Sequence, residues 1–234
     1  MIEELNFETF LSISPTRFEI YLLDKKNLKN IYEEEIKIVN KSNFIDLNLL
    51  SKFLDDNIFK IEKLLGQFLK NINLIIDNDQ ILYLSFGVKK KNYENKINKK
   101  FLENTLIELK DLFKENYQNN KIIHFIVQKY LIDDINHYSF NNEVSGKNLC
   151  LEVNVISISH SLIKEINNVL EKYQIKIEKF FDKKYLNSSF KEENVKISIK
   201  ALKIKKGQNL NEIVIVPKSL KKIGFFDKFF QLFS

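Results

Sequence analysis

The sequence predicts an α+β protein, in which strands and amphipathic helices alternate along one chain. Short runs rich in Ile, Leu, Val and Phe are separated by polar turns, as is typical of strands. Three longer segments repeat apolar residues every three or four positions, as amphipathic helices do. The chain has 234 residues, of which 44% are hydrophobic, with only five Gly and two Pro. It can therefore bury one large core or two small ones, with little room for long flexible linkers.

The first part of the chain is predicted to contain strands around one helix. Three strands are expected within residues 10–39, because short β-rich runs are separated there by polar turn residues. Asp46 is a good helix cap, and the apolar positions after it predict a helix that continues to about Lys70. One strand over residues 73–87 follows, and the charged run at 89–100 is predicted to be a solvated loop.

The stretch 121–177 organises the rest of the chain. Its first strand carries apolar residues at both alternating sets of positions, which predicts burial on both faces. A polar loop and a second strand follow, and a helix capped by Ser159 or Ser161 then leads to a third strand. Another amphipathic helix, opened by Asn95 or Asn98, comes immediately before this stretch.

The pattern is weaker beyond this stretch. Residues 181–194 are predicted to form a loop or a short helix. The runs 195–204 and 212–217 alternate apolar and polar residues, so they are predicted to form a hairpin or edge strands of a sheet formed earlier.

The sequence contains no pattern typical of catalysis or metal binding. The histidines, which lack the spacing of a metal site, are His124, His137 and His160. Asp133 and Asp134 are adjacent, so in a strand their carboxylates would point to opposite faces and could not act as a pair. Cys150 lies within an apolar run and is predicted to be a small buried residue, not a nucleophile. Neither glycine-rich phosphate motif occurs, so the chain is predicted to have no enzymatic activity and to bind no cofactor or metal.

Composition restricts the partners and the compartment. The net charge is +6, but Arg17 is the only arginine, and nucleic-acid binders favour the guanidinium group for base and phosphate contacts. A nucleic-acid partner is therefore not expected. The single cysteine excludes an internal disulfide and favours a cytosolic setting. The first residues do not resemble a signal peptide, and no window approaches the roughly 20 apolar residues of a membrane span.

The last residues, 218–234, are predicted to form an amphipathic helix that binds a membrane surface. At about 100° per residue, one half of the helical wheel is apolar and almost entirely Phe, whereas the other half is polar. A helix of a dozen residues reaches about 18 Å, too short for the ~30 Å hydrocarbon core, but this pattern with flanking lysines is typical of a helix in the interface. The expected membrane-binding residues are Lys218, Lys221, Lys222, Ile223, Phe225, Phe226, Lys228, Phe229, Phe230, Leu232 and Phe233. The alternative is a helix that docks on its own domain.

The order of these features resembles FtsA, the actin-like cell-division protein of bacteria. The match rests on the run Ile122–Asp133, on Val-Ser-Gly at 144–146, and on the strand that contains Leu149–Val155 with the helix after it. It covers about residues 10–177 and the terminal amphipathic segment. The resemblance implies a partial actin-like (ribonuclease H-like) subdomain that carries an inserted strand-helix-strand-strand subdomain. It also implies that the inserted part serves self-association and contacts with division proteins, and that the tail reaches the membrane.

The segment that corresponds to the first phosphate loop of FtsA-like ATPases departs from the family pattern. Ser12 stands in place of the Asp that serves metal and water, and Ser14 in place of the Gly that lets the backbone approach phosphate. Pro15 lacks an N–H group that could bind phosphate, and Thr16 and Arg17 complete this degenerate loop. The second actin-like half, with its phosphate loop and adenosine site, is expected to be missing, so no ATP binding is predicted. In the family that half also supplies the main FtsZ contact, so direct contact with FtsZ is not implied here.

Together these observations predict a non-catalytic cell-division adaptor at the inner face of the cytoplasmic membrane, at the division site. Its predicted parts are a reduced actin-like subdomain (1–92), the inserted interaction subdomain (93–182), C-terminal strands or a linker (183–217) and the membrane-targeting helix (218–234). Its expected partners are the cytoplasmic membrane surface and, through the inserted subdomain, divisome proteins or a second copy. The alternatives are an actin-like scaffold of a pilus or secretion assembly, an ATPase with a degenerate cleft, and a nucleic-acid binder.

Overall fold

A computed structural model describes residues 6–39, 43–94, 96–137, 144–190 and 194–213. The chain separates into two compact units. Unit 1 contains Met1–Ile81 and Ser159–Gln208, and unit 2 contains Leu82–Ile158 and Asn209–Ser234. The predicted inserted subdomain, 93–182, overlaps unit 2 over residues 93–158. It begins after the first strand of that unit, however, and extends into segments that return to unit 1.

The described residues contain eleven strands and five α-helices. The strands are β1 (Phe7–Ser14), β2 (Arg17–Asp24), β3 (Lys29–Lys37), β4 (Asn71–Ile76), β5 (Leu82–Lys91), β6 (Lys96–Ile97), β7 (Asn120–Ile132), β8 (Ile135–His137), β9 (Val144–Ser145), β10 (Asn148–Ser159) and β11 (Lys176–Asp182). The helices are α1 (Leu47–Leu65), α2 (Lys99–Asn116), α3 (His160–Glu171), α4 (Lys183–Ser189) and α5 (Ile197–Lys205).

Unit 1 is built on a five-stranded mixed sheet with the strand order β11-β4-β1-β2-β3. The strands β1, β2 and β3 form an antiparallel meander, whereas β4 is parallel to β1 and β11 is parallel to β4. The helix α1 precedes β4 and α3 precedes β11, because parallel neighbours need a crossover connection. An antiparallel meander followed by helix-linked parallel strands is the arrangement of a ribonuclease H-like subdomain. The predicted α+β fold class is confirmed.

The helices begin at capping residues that the sequence identifies. The Asp46 side chain accepts two backbone N–H groups of the first turn of α1, and this helix ends at Gly66, whose φ of 67° is easily adopted by glycine. Of the two alternatives for each remaining cap, Asn98 opens α2 and Ser159 opens α3. These starts depend on hydrogen bonds between near neighbours in sequence, which is why local patterns predict them correctly.

Unit 2 contains a four-stranded sheet with the order β5-β10-β7-β8, and α2 packs on one of its faces. The buried side chains between them are Ile97, Leu102, Leu106, Leu109, Phe113, Phe125, Val127, Tyr130, Ile132, Leu149, Leu151, Val153, Val155 and Ile213. Along β7, residues 124–127 are all buried, as the two-faced apolar pattern predicts. The last described residues, 209–213, run antiparallel beside β7, since the Ile213 N–H group donates to the Phe125 carbonyl at 2.7 Å.

The single strand predicted at 73–87 is wrong, because these residues belong to two strands in two units. The strand β4 ends at Ile76, and a turn follows in which Asn78 Oδ1 accepts the Gln80 N–H group at 2.7 Å. Short polar side chains that bond to the backbone favour such a turn over a continuous strand. The charged run at 89–100 is not a simple loop either, since it contains the end of β5, all of β6 and the start of α2.

The strand predicted at 195–204 is also wrong, because the helix α5 occupies most of this range. Its buried residues include Ser198, Lys200, Ala201, Leu202 and Ile204, which together cover more than one side of a helix. A helix that is buried on several sides lacks a single apolar stripe, so its pattern does not distinguish it from a strand. Packing against α4 and β2 decides the conformation here.

No helix within the described ranges is both long enough and apolar enough to cross a membrane.

Candidate functional site

The degenerate phosphate loop is a tight hairpin turn between β1 and β2. Ser14 and Arg17 are paired across the two strands, so Pro15 and Thr16 form the turn between them. The Ser14 hydroxyl donates to the Arg17 carbonyl at 3.2 Å and lies 3.3 Å from Thr16 Oγ1. The carbonyl of Thr16 accepts the Ile38 N–H group at 2.8 Å. The turn is therefore closed by hydrogen bonds of its own chain.

Beside this turn, the carboxylate of Glu19 lies where β1 and β2 face the start of α4. Glu19 is the cross-strand neighbour of Ser12, whose hydroxyl donates to Glu19 Oε2 at 3.0 Å. The Lys183 ammonium group donates to the same oxygen at 3.1 Å, and Arg17 Nη1 lies 3.7 Å from Glu19 Oε1. Ser12 and Arg17 of the predicted loop are thus brought together with two residues that the sequence analysis does not identify.

Glu19 is held in its ionised form. Burial alone raises the pKa of its carboxyl group, but the positive charge of Lys183 and hydrogen bonds from Lys183, Tyr21 and Ser12 outweigh that effect and lower it below the usual value. The pKa of the neighbouring Tyr21 is raised, first by burial and then by the charge of Glu19. A largely buried negative charge with a fixed counter-ion therefore lies beside the turn at Pro15 and Thr16.

The parallel strands explain why Lys183 reaches this position. Since β1, β4 and β11 run in the same direction, their carboxyl ends meet at one edge of the sheet. Lys183 is the first residue after β11 and the first of α4, which Asp182 caps by accepting the Tyr185 N–H group at 2.7 Å. A charged residue within the apolar run of β2 is a sequence signal that could have identified Glu19, whereas nothing near Lys183 in sequence indicates its partner.

A buried pair of polar side chains lies in unit 2. His124 on β7 has its Nδ1 atom 2.7 Å from Glu212 Oε1, and both side chains are almost completely buried. Glu212 belongs to the segment that runs beside β7, so the pair fixes this segment to the sheet. A structural role for His124 agrees with this position, and its partner, 88 residues away, could not be found from local pattern.

Asp133 and Asp134 lie in a turn. The assumption that they belong to a strand and point to opposite faces of a sheet is therefore wrong. Their φ angles are 47° and 65°, and they connect β7 to β8. The Asp133 carboxylate accepts the backbone N–H groups of Lys147 and Asn148 at 3.0 and 2.9 Å. Hydrogen bonds from Lys147 and then Asn148 lower the pKa of Asp133, so this residue ties the turn to the start of β10.

Cys150 is partly exposed, so the prediction of a buried cysteine is wrong. Side chains on β10 alternate between the two faces of the sheet, and Leu149 and Leu151 point into the core. The Cys150 side chain therefore lies on the opposite face, which is less covered. An apolar run such as Leu-Cys-Leu does not by itself show which residues face the core.

A cavity of about 310 Å³ lies in unit 1, near the amino ends of β1 and β4. Among its lining residues, Glu8 accepts hydrogen bonds from Lys205 at 3.0 Å and from the Asn73 side chain at 3.2 Å. Lys205 also lies 2.9 Å from Glu178, and Lys25 lies 4.0 Å from Glu8. These ion pairs engage both lining carboxylates, and Lys70 is a further lysine at this cavity. In the parts of the chain that the structure covers, no group of three or more His, Cys, Asp or Glu side chains could hold a metal ion.

The predicted membrane-binding residues, from Lys218 to Phe233, lie outside the described residues.

A scan against protein-family models gave no match, and no curated protein matches the chain significantly. Solved structures match it at low sequence identity. The PilM-PilN type IV pilus biogenesis complex matches with a TM-score of 0.46 and 8% identity, over 76% of this chain and 48% of that chain. The cytoplasmic domain of EpsL, an inner membrane component of the type II secretion system of Vibrio cholerae, matches with a TM-score of 0.40 and 9% identity, over 77% and 58%. A Bacteroides thetaiotaomicron protein with an actin-like ATPase fold and unknown function matches with a TM-score of 0.32 and 17% identity, over 80% of this chain and 56% of that chain. The chain thus spans about half the length of these solved structures.

Proposed function

We propose that this chain is a non-catalytic adaptor, similar to FtsA, that acts through protein contacts at the inner face of the cytoplasmic membrane. The observation that carries the proposal is the Glu19 carboxylate, which is paired with Lys183 beside the Pro15 turn. An adaptor needs a stable fold and binding surfaces, and it does not need a nucleotide cleft.

Three features of this position oppose phosphate binding. The carboxylate of Glu19 would repel a phosphate group across a short distance, and this repulsion is strong where burial limits screening by water. The nearest ammonium group, on Lys183, already has an anionic partner. Pro15 has no N–H group to donate, whereas phosphate loops bind through successive backbone N–H groups.

We therefore expect no binding of ATP with Mg²⁺. Isothermal titration calorimetry on the full chain should show no saturable heat at millimolar nucleotide, because the turn at Pro15 presents the Glu19 carboxylate and lacks the N–H group of a phosphate loop. A variant with Glu19→Gln and Pro15→Gly removes all three opposing features, because Lys183 then loses its anionic partner, and it serves as the matched comparison. Saturable binding by the unaltered chain would contradict the proposal and favour an ATPase with a degenerate cleft.

The membrane part of the proposal rests on the Phe-rich face of residues 218–234 and can be tested by changing that face alone. Replacing Phe225 and Phe229 with Ser should lower the partition of the full chain onto anionic liposomes by at least about ten-fold, since each buried Phe contributes roughly 1.5–3 kcal/mol. The matched control is Gln231→Ser, which changes the polar face and should bind as the unaltered chain does. Co-sedimentation measures both. If a chain that lacks Ile223–Ser234 still binds liposomes to the same extent, the tail is not the anchor.

The identity of the protein partner distinguishes the two adaptor functions, a cell-division adaptor and a scaffold of a pilus or secretion assembly. A division adaptor should recover septal proteins when the tagged full chain is purified from solubilised membranes of its own cells. A scaffold of a pilus or secretion assembly should recover components of those assemblies, of the kind named for the PilM-PilN and EpsL structures. In either case we expect unit 2 to provide the contact surface, because it is the part that corresponds to the interaction subdomain of FtsA.

A further inference from the structure

The cavity of about 310 Å³ in unit 1 has features of a small-ligand site that the proposed function does not use. It lies at the amino end of β1, where Phe7 lines it, whereas Ser12, toward the other end of this strand, contacts Glu19. Pockets for small ligands typically have volumes of about 300–1,000 Å³, so this cavity is at the small end of that range. Its size therefore suits a compact molecule.

Asn73 is an unusual residue for its position in the sheet. It lies on β4, between β11 and β1, within a run that is otherwise apolar, and it is 1% exposed. Asn is depleted in strands, and burial of an amide group is unfavourable unless its polar atoms form hydrogen bonds. The backbone of Asn73 is flanked by Phe10 on one side and by Lys179 on the other. Its side chain is therefore the part that lines the cavity.

The amide group of Asn73 has one polar atom that lacks a partner. Its Nδ2 atom donates to Glu8 Oε2 at 3.2 Å and to the Thr9 carbonyl at 3.4 Å. Because a carboxylate and a carbonyl are both acceptors, the amide cannot be turned to direct its oxygen at them. Within the described ranges, no donor bonds to the buried Oδ1 atom. A ligand that donates a hydrogen bond would satisfy this oxygen.

The charged side chains of the cavity leave an excess of positive charge. The Lys205 ammonium group lies 3.0 Å from Glu8 and 2.9 Å from Glu178, so it is fully engaged. Lys25 lies 4.0 Å from Glu8, beyond hydrogen-bond distance. Lys70 forms no ion pair with any residue that the structure describes. Three lysines thus meet two carboxylates, and Lys25 and Lys70 can each donate to an anionic ligand.

Apolar side chains form another part of the wall. Phe7, Leu22 and Leu65 line the cavity together with Phe68, whose side chain is 80% exposed and therefore lies at the opening. An apolar wall that carries a few polar groups in fixed positions is the usual form of a small-molecule site. A ligand with an apolar part would remove the exposed Phe68 ring from water.

We propose that this cavity binds a small hydroxy acid with an apolar part. Its carboxylate binds Lys25 and Lys70, its hydroxyl group donates to Asn73 Oδ1, and its apolar part contacts Phe68. An amino group in place of the hydroxyl would add positive charge beside these lysines, so a hydroxyl group fits better. The inference is independent of the proposed function, since the site lies away from the turn at Pro15 and involves neither nucleotide nor membrane.

The test uses the full chain and three probes that differ by one group. Phenyllactate carries a carboxylate, a hydroxyl group and a phenyl ring. Phenylpropanoate lacks the hydroxyl group, and phenylpropanediol has an alcohol in place of the carboxylate. In isothermal titration calorimetry, phenyllactate should bind with a Kd of about 1 mM or lower. Each of the other two probes should bind at least about five-fold more weakly.

Protein variants locate the binding. Replacing Lys25 and Lys70 with Gln should weaken phenyllactate binding by at least about ten-fold. The matched control replaces Lys52 and Lys60, which are exposed on α1 and do not line the cavity, and it should change the Kd less than about two-fold. Asn73→Leu should abolish the preference for phenyllactate over phenylpropanoate, because the acceptor of the hydroxyl group is then absent. Thermal unfolding of each variant verifies that it folds.

Three results would overturn the inference. The first is an absence of saturable phenyllactate binding at several millimolar, and the second is equal binding by the Lys25 and Lys70 variant and by its control. The third concerns residues 1–5, which lie outside the described residues and precede Phe7. If only a chain that begins at Asn6 binds phenyllactate, that segment and not a ligand fills the cavity. None of these results bears on binding of ATP or liposomes, so the proposed function is tested separately.

Discussion

Replacing Lys183 with Met is expected to lower the free energy of unfolding by about 3 kcal/mol at pH 7. The change removes the ammonium group that lies 3.1 Å from Glu19 and leaves that carboxylate largely buried without its main counter-charge. Ser12 and Arg17 still contact it, but neither replaces a full charge at hydrogen-bond distance. Urea unfolding followed by circular dichroism measures the effect.

The sign of the pH dependence provides a stricter test. In the unaltered chain the pKa of Glu19 is lowered in the folded state, so this group contributes stability above its unfolded-state pKa. That contribution is lost as the pH falls through the folded-state pKa. Without Lys183, burial becomes the dominant influence and raises the pKa of Glu19. The stability difference between Lys183→Met and the unaltered chain should therefore be largest at neutral pH and shrink as Glu19 becomes protonated.

Two further variants show whether the charge pair is the cause. Lys184→Met changes the next, exposed residue of α4 and should alter stability by no more than about 0.5 kcal/mol. Combining Lys183→Met with Glu19→Gln should recover most of the loss, since the uncompensated charge is then absent. An equal loss in the single and double variants, independent of pH, would show that Lys183 acts through packing and not through Glu19.

Replacing Gly146 with Ala is expected to destabilise the chain by about 2–3 kcal/mol. A Cβ atom at this position would lie 2.3 Å from Ile132 Cγ2 and 3.3 Å from Asp133 Oδ2. Ile132 is fully packed in the core of unit 2, so its methyl group cannot move away without disturbing that core. Gly146 is therefore required for close approach between the loop before β10 and the end of β7.

The matched control for this change is Gly87→Ala on β5 of the same unit. A Cβ atom there would meet only the Leu151 carbonyl, at the ordinary contact distance of 3.6 Å. Alanine should be tolerated or should stabilise the strand by about 0.5 kcal/mol, because Gly loses more backbone entropy on folding. Chemical unfolding of the two variants and of Gly146→Ala combined with Ile132→Ala gives the comparison. If removing the Ile132 side chain does not reduce the cost of Gly146→Ala, the predicted clash is not the reason for it.

The sequence predicts correctly the features that depend on neighbouring residues. Asp46, Asn98 and Ser159 cap helices through bonds to residues two or three positions away, and such bonds are visible as short motifs. The burial of residues 124–127 on both faces also follows from the apolar pattern of β7. The resemblance to FtsA predicts that the hairpin at 12–17 corresponds to a degenerate phosphate loop.

The features that the sequence does not predict depend on how distant segments pack. The helix α5 has an alternating pattern and is buried on several sides, so its conformation follows from its neighbours and not from periodicity. The turn at Asp133 and the exposure of Cys150 likewise require knowledge of which strand lies beside β10 and where each strand ends.

By itself the sequence therefore determined the α+β class and most helix and strand positions, and it predicts that the hairpin at 12–17 does not bind phosphate. Only the tertiary structure shows that the Glu19–Lys183 ion pair lies beside this hairpin. Glu19 and Lys183 are 164 residues apart, and they meet because β11 and β1 are parallel members of one sheet whose carboxyl ends share an edge. His124 and Glu212 also lie far apart in sequence, and they meet because the segment 209–213 runs antiparallel beside β7. Charge interactions act over a few ångströms in space, whereas sequence patterns report on neighbours along the chain.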